Sequence, residues 1–456
     1  MPDQQIGLGM YLAMLILHSC PSTMVSDHGL DYPKAPVRIQ ISLIPQKWSD
    51  VYCHPTSLIG NENHSQYYAT IEPNRPLGGY MKNYDVVVVG AGAAGVGIAA
   101  MLTDFGVDNM VVLERDRVGS SFDRWPKEMR FITPSFTTNY WGHLDLNSVA
   151  TGTSPAFTLD TEHPTGHEYA EYLRLISEYF ELPVKEYTSV EQITYSEDRF
   201  TIRVDGADGS EVIESRFLIW AAGEFQYPST ELFSGSELCL HNSHIESWKQ
   251  IQGDDVYVIG GNESGIDAAI HLSRLGKKVS VLAERPDWDE RTTDPSVNLS
   301  PYTVDRLREE MLGESISLVG KSKVKDVKLE DDQYSIYVKG KKSSPYQTQT
   351  PPILATGFDS SLIMVKDLFD WDESDSYVLL NEDDESRKTP GLFLVGPQVR
   401  HEDLIFCFIY KYRQRFGVVA NAIGDKLGMD TSFLEQYRDQ GLYLDDLGAC
   451  GEECPC

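Results

Sequence analysis

Two stretches of this chain repeat one pattern of apolar and small residues. Tyr84-Asp85-Val86-Val87-Val88-Val89 is a nearly continuous β-branched run. It leads into the turn Gly90-Ala91-Gly92-Ala93-Ala94-Gly95. Such a run predicts a parallel strand buried on both faces. The next residues, Ala93 to Phe105, predict a helix that Gly106 stops. A second strand is expected over Met110-Val111-Val112-Leu113, with Glu114-Arg115 at its end. The pattern returns as a strand over Asp255 to Ile259, the turn Gly260-Gly261-Asn262-Glu263-Ser264-Gly265, a helix from Ile266 to Leu275, and a strand over Val279 to Leu282 before Glu284-Arg285. The glutamate follows the first glycine by 24 residues in both copies (114 − 90 and 284 − 260).

Connecting segments also repeat. An alternating β segment, Arg199 to Val204, precedes Phe217-Leu218-Ile219-Trp220-Ala221-Ala222-Gly223. Another, Tyr334 to Val338, precedes Ile353-Leu354-Ala355-Thr356-Gly357. Small residues at these strand ends suit a chain that crosses between two domains beside a cofactor. Thr389 to Gly396 reads as a further strand ending in glycine, and Phe406 to Leu427 as a long helix.

The turns carry the candidate chemistry. Gly90 permits a tight exit from the strand, Gly92 lets backbone approach a pyrophosphate, and Gly95 lets the helix pack close to the strand. The amides at Ala93 and Ala94 open a helix whose dipole favours an anion. Glu114 is placed to accept hydrogen bonds from a ribose diol. One such motif also fits a ligand-free turn, but two in register predict two dinucleotide units. In the second, Asn262 replaces the middle glycine and is expected to hold the turn through its tolerance of positive φ. Glu263, Ser264 and Gly265 complete that turn. Glu284 would favour NADH through a 2′-hydroxyl, whereas Arg285, Arg291 and Lys278 would hold the 2′-phosphate of NADPH.

A chain of 456 residues, 41% hydrophobic, can bury two or three cores. Its net charge of −30 argues against nucleic-acid binding and against docking on anionic lipid. The acidic stretch Asp370 to Glu385 reads as a solvated loop. Residues 1–80 lack strand–helix alternation, and Leu8 to Leu17 is too short to span a membrane and lacks a preceding basic region. They read as a poorly ordered extension, or as a start assigned upstream of Met81, and a cytoplasmic location is expected. The seven cysteines suggest no disulfide framework. Cys239 and Cys407 read as core residues, while Cys450, Cys454 and Cys456 form a tail that is either a redox or soft-metal segment or a terminus with incidental thiols. No metal site is expected.

From Met81 to about Gly441 the chain resembles the two-dinucleotide-domain flavoproteins, which include flavin-containing monooxygenases and thioredoxin-reductase-like proteins. The resemblance implies FAD at the first glycine motif and NADPH, or alternatively NADH, at the second. It implies linker motifs at Gly223 and Gly357. Gly119 to Pro126, with Ser121 and Trp125, is similar to the monooxygenase segment that covers FAD. Phe233-Ser234-Gly235 with His241-Asn242-Ser243 and Trp248 is similar to the monooxygenase fingerprint, with a spacing two residues longer. Arg413-Gln414 resembles an FAD-contacting pair of the thioredoxin-reductase branch, and Gly396-Pro397 stands where that superfamily has Gly-Asp. His401 would lie near the flavin, and Trp125 and Trp141 would wall its pocket.

The expected fold is α/β with two Rossmann-like domains: a discontinuous FAD domain, 81–231 and 345–443, and an NAD(P) domain, 232–344, inserted between. Residues 444–456 form the cysteine tail. Function is expected to be hydride transfer from NADPH to flavin, then to oxygen and a small organic substrate. Alternatives are a reductase of low-molecular-weight disulfides or of a partner protein that uses the tail thiols, and a dinucleotide-binding redox sensor without turnover. No catalytic side chain is singled out, and a homodimer is among the assemblies the sequence leaves open.

Overall fold

A computed structural model of the protein describes residues 82–136, 144–207, 209–285, 288, 298–340, 344–374 and 376–449. The proposed extension, Trp141, Arg291, Cys20, Cys53 and the three tail cysteines lie outside the described residues. The fold is α/β, with two mainly parallel sheets.

The first sheet grows from Lys82–Val89 (β1), whose last four residues are fully or nearly buried. Helix α1 (Ala93–Phe105) leads to β2 (Met110–Leu113). After helix α2 (Gly166–Tyr179) come β3 (Val184–Lys185), β4 (Ser189–Ser196), β5 (Arg199–Gly206) and β6 (Gly209–Trp220). Their order is β3-β2-β1-β6-β5-β4. The β4–β6 part is antiparallel, as the alternation over 199–204 requires, whereas β1, β2 and β6 run parallel.

From β6 the chain crosses to a second sheet and later returns. That sheet contains β7 (Leu240–His241), β8 (Asp255–Ile259), β9 (Lys278–Leu282), β10 (Ile316–Val319) and, after an antiparallel trio β11 (Val324–Glu330), β12 (Gln333–Val338) and β13 (Tyr346–Thr348), β14 (Ile353–Leu354). Helices α3 (Glu263–Arg274) and α4 (Pro301–Met311) accompany it. The chain then rejoins the first sheet through β15 (Leu392–Leu394), parallel to β6. Each sheet has its own apolar core. Helix α5 (Phe416–Leu427) packs on α1, and the approach is close at Gly97, where an added Cβ would fall 2.3 Å from the Phe416 ring.

Three elements differ from expectation. Helix α3 starts at Glu263, so Glu263 and Ser264 form its first turn. The expected helix over 406–427 is broken: a short helix spans Ile409–Tyr412, a 3-10 turn Arg413–Arg415, and α5 follows. The acidic stretch is not wholly solvated, because Asp384 is fully buried and Glu385 is 8% exposed. Asp384 accepts from Arg415 Nε at 2.9 Å and from His401 Nε2 at 2.5 Å. Glu385 pairs with Lys426. Among the described residues, no helix is long and apolar enough to cross a membrane.

Candidate functional site

The two glycine turns are built alike. Gly90 and Gly260 have φ of 102° and 112°, so each needs glycine's conformational range. A Cβ on Gly90 would lie 2.6 Å from Ala221 O, and one on Gly260 2.1 Å from Ala355 O, so each crossing strand seals its turn from the same side. The third glycines are packed equally closely: a Cβ on Gly95 would lie 1.9 Å from Gly90 O, and one on Gly265 2.1 Å from Gly260 O.

The middle positions distinguish the turns. Gly92 has φ −79° and ψ −169°, a conformation open to any residue, and an added Cβ would meet no protein atom within 4 Å. Neither backbone conformation nor protein packing requires glycine there. Gly92 lines a cavity of about 500 Å³, and the space a Cβ would fill is where a pyrophosphate would lie. This site fits FAD. Asn262 has nearly the same backbone, φ −88° and ψ −166°, so its tolerance of positive φ is not used. The adjacent Gly261 is constrained by packing instead. Trp288 Nε1–H donates to Gly261 O at 2.8 Å, and a Cβ on Gly261 would lie 2.9 Å from the Trp288 ring.

Of the predicted residues, Gly90, Gly92, Ala93, Ala94, Glu114, Arg115, Ser121, Trp125, Gly223, Glu263 and Ser264 line the cavity. Gly95, Gly260, Asn262, Gly265, Arg285, Gly357, Gly396, Arg413 and Gln414 do not. Arg413 is 4% exposed and its guanidinium is taken up by backbone: it donates to the carbonyls of Asp145, Ser148 (2.7 Å) and Leu144 (3.2 Å). Burial holds its pKa down at about 10. Arg413 therefore fixes the 144–148 segment, from which Asn147 reaches the cavity wall. Gln414 donates to Tyr410 O, and Tyr412, just before the pair, lines the cavity. Gly396 packs on Ala94, and Pro397 beside it lines the wall. His401 is held by Asp384 and is not a lining residue. Trp125 is one, packed on Phe122 and Phe131.

Glu114 is the best-defined polar group of the first unit. Its carboxylate accepts from Ala91 N at 2.8 Å and Asp116 N at 2.9 Å, one bond to each oxygen. Each oxygen keeps acceptor capacity for a ribose diol. Burial pushes its pKa up, and the two backbone bonds offset part of that rise. The diol needs the ionised form, so FAD affinity should fall on acidification through that raised pKa, by up to tenfold per pH unit. FAD fluorescence during acid titration should show release starting above the usual carboxylate range. Glu114→Gln should bind FAD more weakly by about 2 kcal/mol and lose that pH slope; an unchanged slope would show that Glu114 is not the titrating group.

The far end of the cavity belongs to the second sheet. Asn242, Glu263, Ser264 and Asp267 line it with Phe225, Gln226 and Phe358. Glu263 accepts from Thr303 Oγ1 at 2.6 Å and from Ser300 N, so this carboxylate ties α3 to the start of α4 and is less available to a cofactor than its motif position implies. Burial raises its pKa. Asp267 takes Arg306 Nη1 at 2.8 Å, and the same guanidinium lies 4.2 Å over the Tyr302 ring, which stacks on His163. Asn242 Oδ1 and Asp267 Oδ2 are buried acceptors without a partner among the described residues, and their residues fit the amide donors of a nicotinamide. Glu128 joins the two halves by accepting from Ser247 Oγ at 2.6 Å and Trp248 N at 3.1 Å.

Cys407 also lines the cavity, which corrects its reading as a core residue. Cys239 is away from the cavity, and burial pushes its thiol up to about 12. Asn242 belonged to the fingerprint without a stated role, and Asp267 and Trp288 were missed. The α3 periodicity could have found Asp267, one turn beyond Glu263 on the same face. No local signal marks Trp288.

A family model described as pyridine nucleotide-disulphide oxidoreductase matches residues 87–396, from β1 to the end of the third glycine strand. The chain belongs to this family. It is an oxidoreductase of the pyridine-nucleotide type, and its first turn fits a flavin nucleotide. An uncharacterized oxidoreductase, CzcO, from Bacillus subtilis (strain 168) is 27% identical over 205 residues, 44% of this chain and 54% of that protein. Indole-3-pyruvate monooxygenase YUCCA1 of Oryza sativa subsp. japonica is 26% identical over 203 residues, 43% of this chain and 47% of that protein. The chain thus spans about half the length of these curated relatives. Among solved structures, bacillithiol disulfide reductase Bdr (YpdA) from Staphylococcus aureus has a TM-score of 0.62 at 20% identity, covering 76% of this oxidoreductase and 99% of the Bdr chain. At that identity the likeness shows the fold alone.

Proposed function

We propose that this oxidoreductase is an NADPH-dependent flavin monooxygenase acting on a small organic molecule. The observation that carries the reading is one cavity lined both by the first glycine turn and by the start of α3. FAD held there would supply the redox chemistry, a flavin that takes hydride from a nicotinamide and reacts with oxygen. The protein binds and encloses. Gly92 and Glu114 hold the flavin nucleotide, Asn242 and Asp267 offer acceptors to the nicotinamide, and Phe225, Tyr227 and Phe358 give the wall an apolar stretch. Among the described residues, Cys407 is the only cysteine in that wall, so no described dithiol faces it. The monooxygenase among its relatives supports the same reading.

A second reading, reduction of a disulfide, is favoured by Cys407 itself and by the disulfide reductase fold likeness. Rapid mixing of anaerobic, NADPH-reduced protein with oxygenated buffer separates the two. The monooxygenase predicts a transient absorbance band before the oxidised spectrum returns, unchanged in Cys407→Ser and when Cys450, Cys454 and Cys456 are all serine. A slow single-phase return, with fast turnover of a disulfide that either cysteine variant abolishes, would contradict it. Reduction by NADPH without reoxidation by any acceptor would instead indicate the sensor. Small molecules are the proposed partners, since the net charge of −30 opposes nucleic acid and anionic lipid.

A further inference from the structure

The second dinucleotide unit contains a basic residue that the sequence pattern does not mark. Ligands of parallel α/β sheets bind beyond the carboxyl ends of the strands. Glu284 lies just past the carboxyl end of β9. Lys278 lies at the opposite end, pairing in register with Asp255 and donating its backbone N–H to Asp254 O. Lys278 is therefore removed from any adenosine ribose at this site. Its proposed place is taken by Lys323, whose Nζ sits 3.0 and 3.1 Å from the two oxygens of Glu284.

Backbone fixes this placement. Ala283 N donates to Val319 O at 3.1 Å, and Ser322 N donates to Ala283 O at 2.8 Å, so the loop from β10 to β11 is stitched to the end of β9. Lys339 N donates to Lys323 O at 2.8 Å from the far side of the loop. The lysine is thus delivered beside Glu284 by two strands and a turn, although 39 residues separate them in sequence. Both side chains are about half exposed, 55% and 53%. An exposed pair of this kind contributes little to stability, and its consequence lies in what it offers a ligand.

We propose that Lys323 reads the 2′-phosphate of NADPH, with Glu284 as its counter-ion until the nucleotide binds. Alone at the strand end, Glu284 would accept from a 2′-hydroxyl and repel a 2′-phosphate. Lys323 offsets that carboxylate, and the neighbouring Arg285 is exposed beside it. A dianionic phosphate gains a direct ammonium contact there. A 2′-hydroxyl gains only a share of Glu284. The strand-end acid therefore coexists with NADPH preference.

The inference rests on NADPH as the cofactor, and calorimetry on the oxidised, FAD-loaded protein separates the two claims without turnover. NADP+ and NAD+ are the probes, since they differ only in the 2′-phosphate. The parent protein should bind NADP+ more tightly. Lys323→Met should weaken NADP+ about tenfold and leave NAD+ no weaker, whereas Glu284→Gln should tighten NADP+ and weaken NAD+. Retained FAD absorbance reports folding of both variants. Equal changes for the two nucleotides in Lys323→Met, or no change in either, would overturn the role of Lys323 while leaving NADPH as cofactor. A parent protein that binds neither nucleotide would overturn both claims.

Discussion

Gly92→Val is expected to abolish FAD retention while leaving the apoprotein folded. The valine side chain would enter the cavity itself, because a Cβ on Gly92 meets no protein atom within 4 Å and the backbone φ of −79° suits any residue. The cost falls on the ligand: the pyrophosphate loses its close approach to the turn, and affinity should drop by at least two orders of magnitude, about 3 kcal/mol. The purified variant should be colourless, with an unfolding midpoint close to that of the parent apoprotein. Gly95→Val is the contrasting control. Its Cβ would fall 1.9 Å from Gly90 O, so that variant should fail to fold rather than merely fail to bind. A Gly92→Val protein that still carried stoichiometric FAD would remove the turn from the flavin site.

Asp384→Ala should lose about 3–5 kcal/mol of stability, because it leaves a buried guanidinium without its counter-charge. Arg415 is 1% exposed and Asp384 fully buried, and the carboxylate takes two bonds from that guanidinium, at 2.9 and 3.0 Å. The same carboxylate holds His401 beside the turn of the short hairpin that precedes Cys407 and Phe408 in the cavity wall. Asp384 also sits at φ 60°, which alanine tolerates poorly and asparagine better. Asp384→Asn should therefore be less damaging than alanine, and denaturant unfolding of the two variants separates the charge from the backbone effect. Loss of less than 1 kcal/mol in both would show that the triad contributes no net stability.

Legibility followed sequence distance. The strand, glycine turn, helix and acid are consecutive, so local sterics determine them, and both copies could be read before any tertiary contact was known. Gly92 and Glu114 could be expected together on one cavity for that reason. The cavity walls were not, because they form where segments far apart in sequence meet. Tyr412 rather than Arg413 faces the cavity since the short helix breaks into a 3-10 turn there, and Arg413 is spent on carbonyls some 270 residues earlier. Asp384 resembled its solvated acidic neighbours because its partner, Arg415, lies 31 residues further on. Lys323 was invisible for the same reason: only the stitching of the β10–β11 loop to β9 brings it to Glu284. Lys278, on the expected strand, was assigned to the site without regard to which end of that strand it occupies.

The most direct measurement is anaerobic titration of the FAD-loaded protein with NADPH, followed through the flavin absorbance. If the first glycine turn and α3 serve one electron path, about one equivalent of NADPH should bleach the flavin at a rate that saturates with NADPH. Flavin that stays oxidised under excess NADPH, yet is readily reduced by dithionite, would contradict the account.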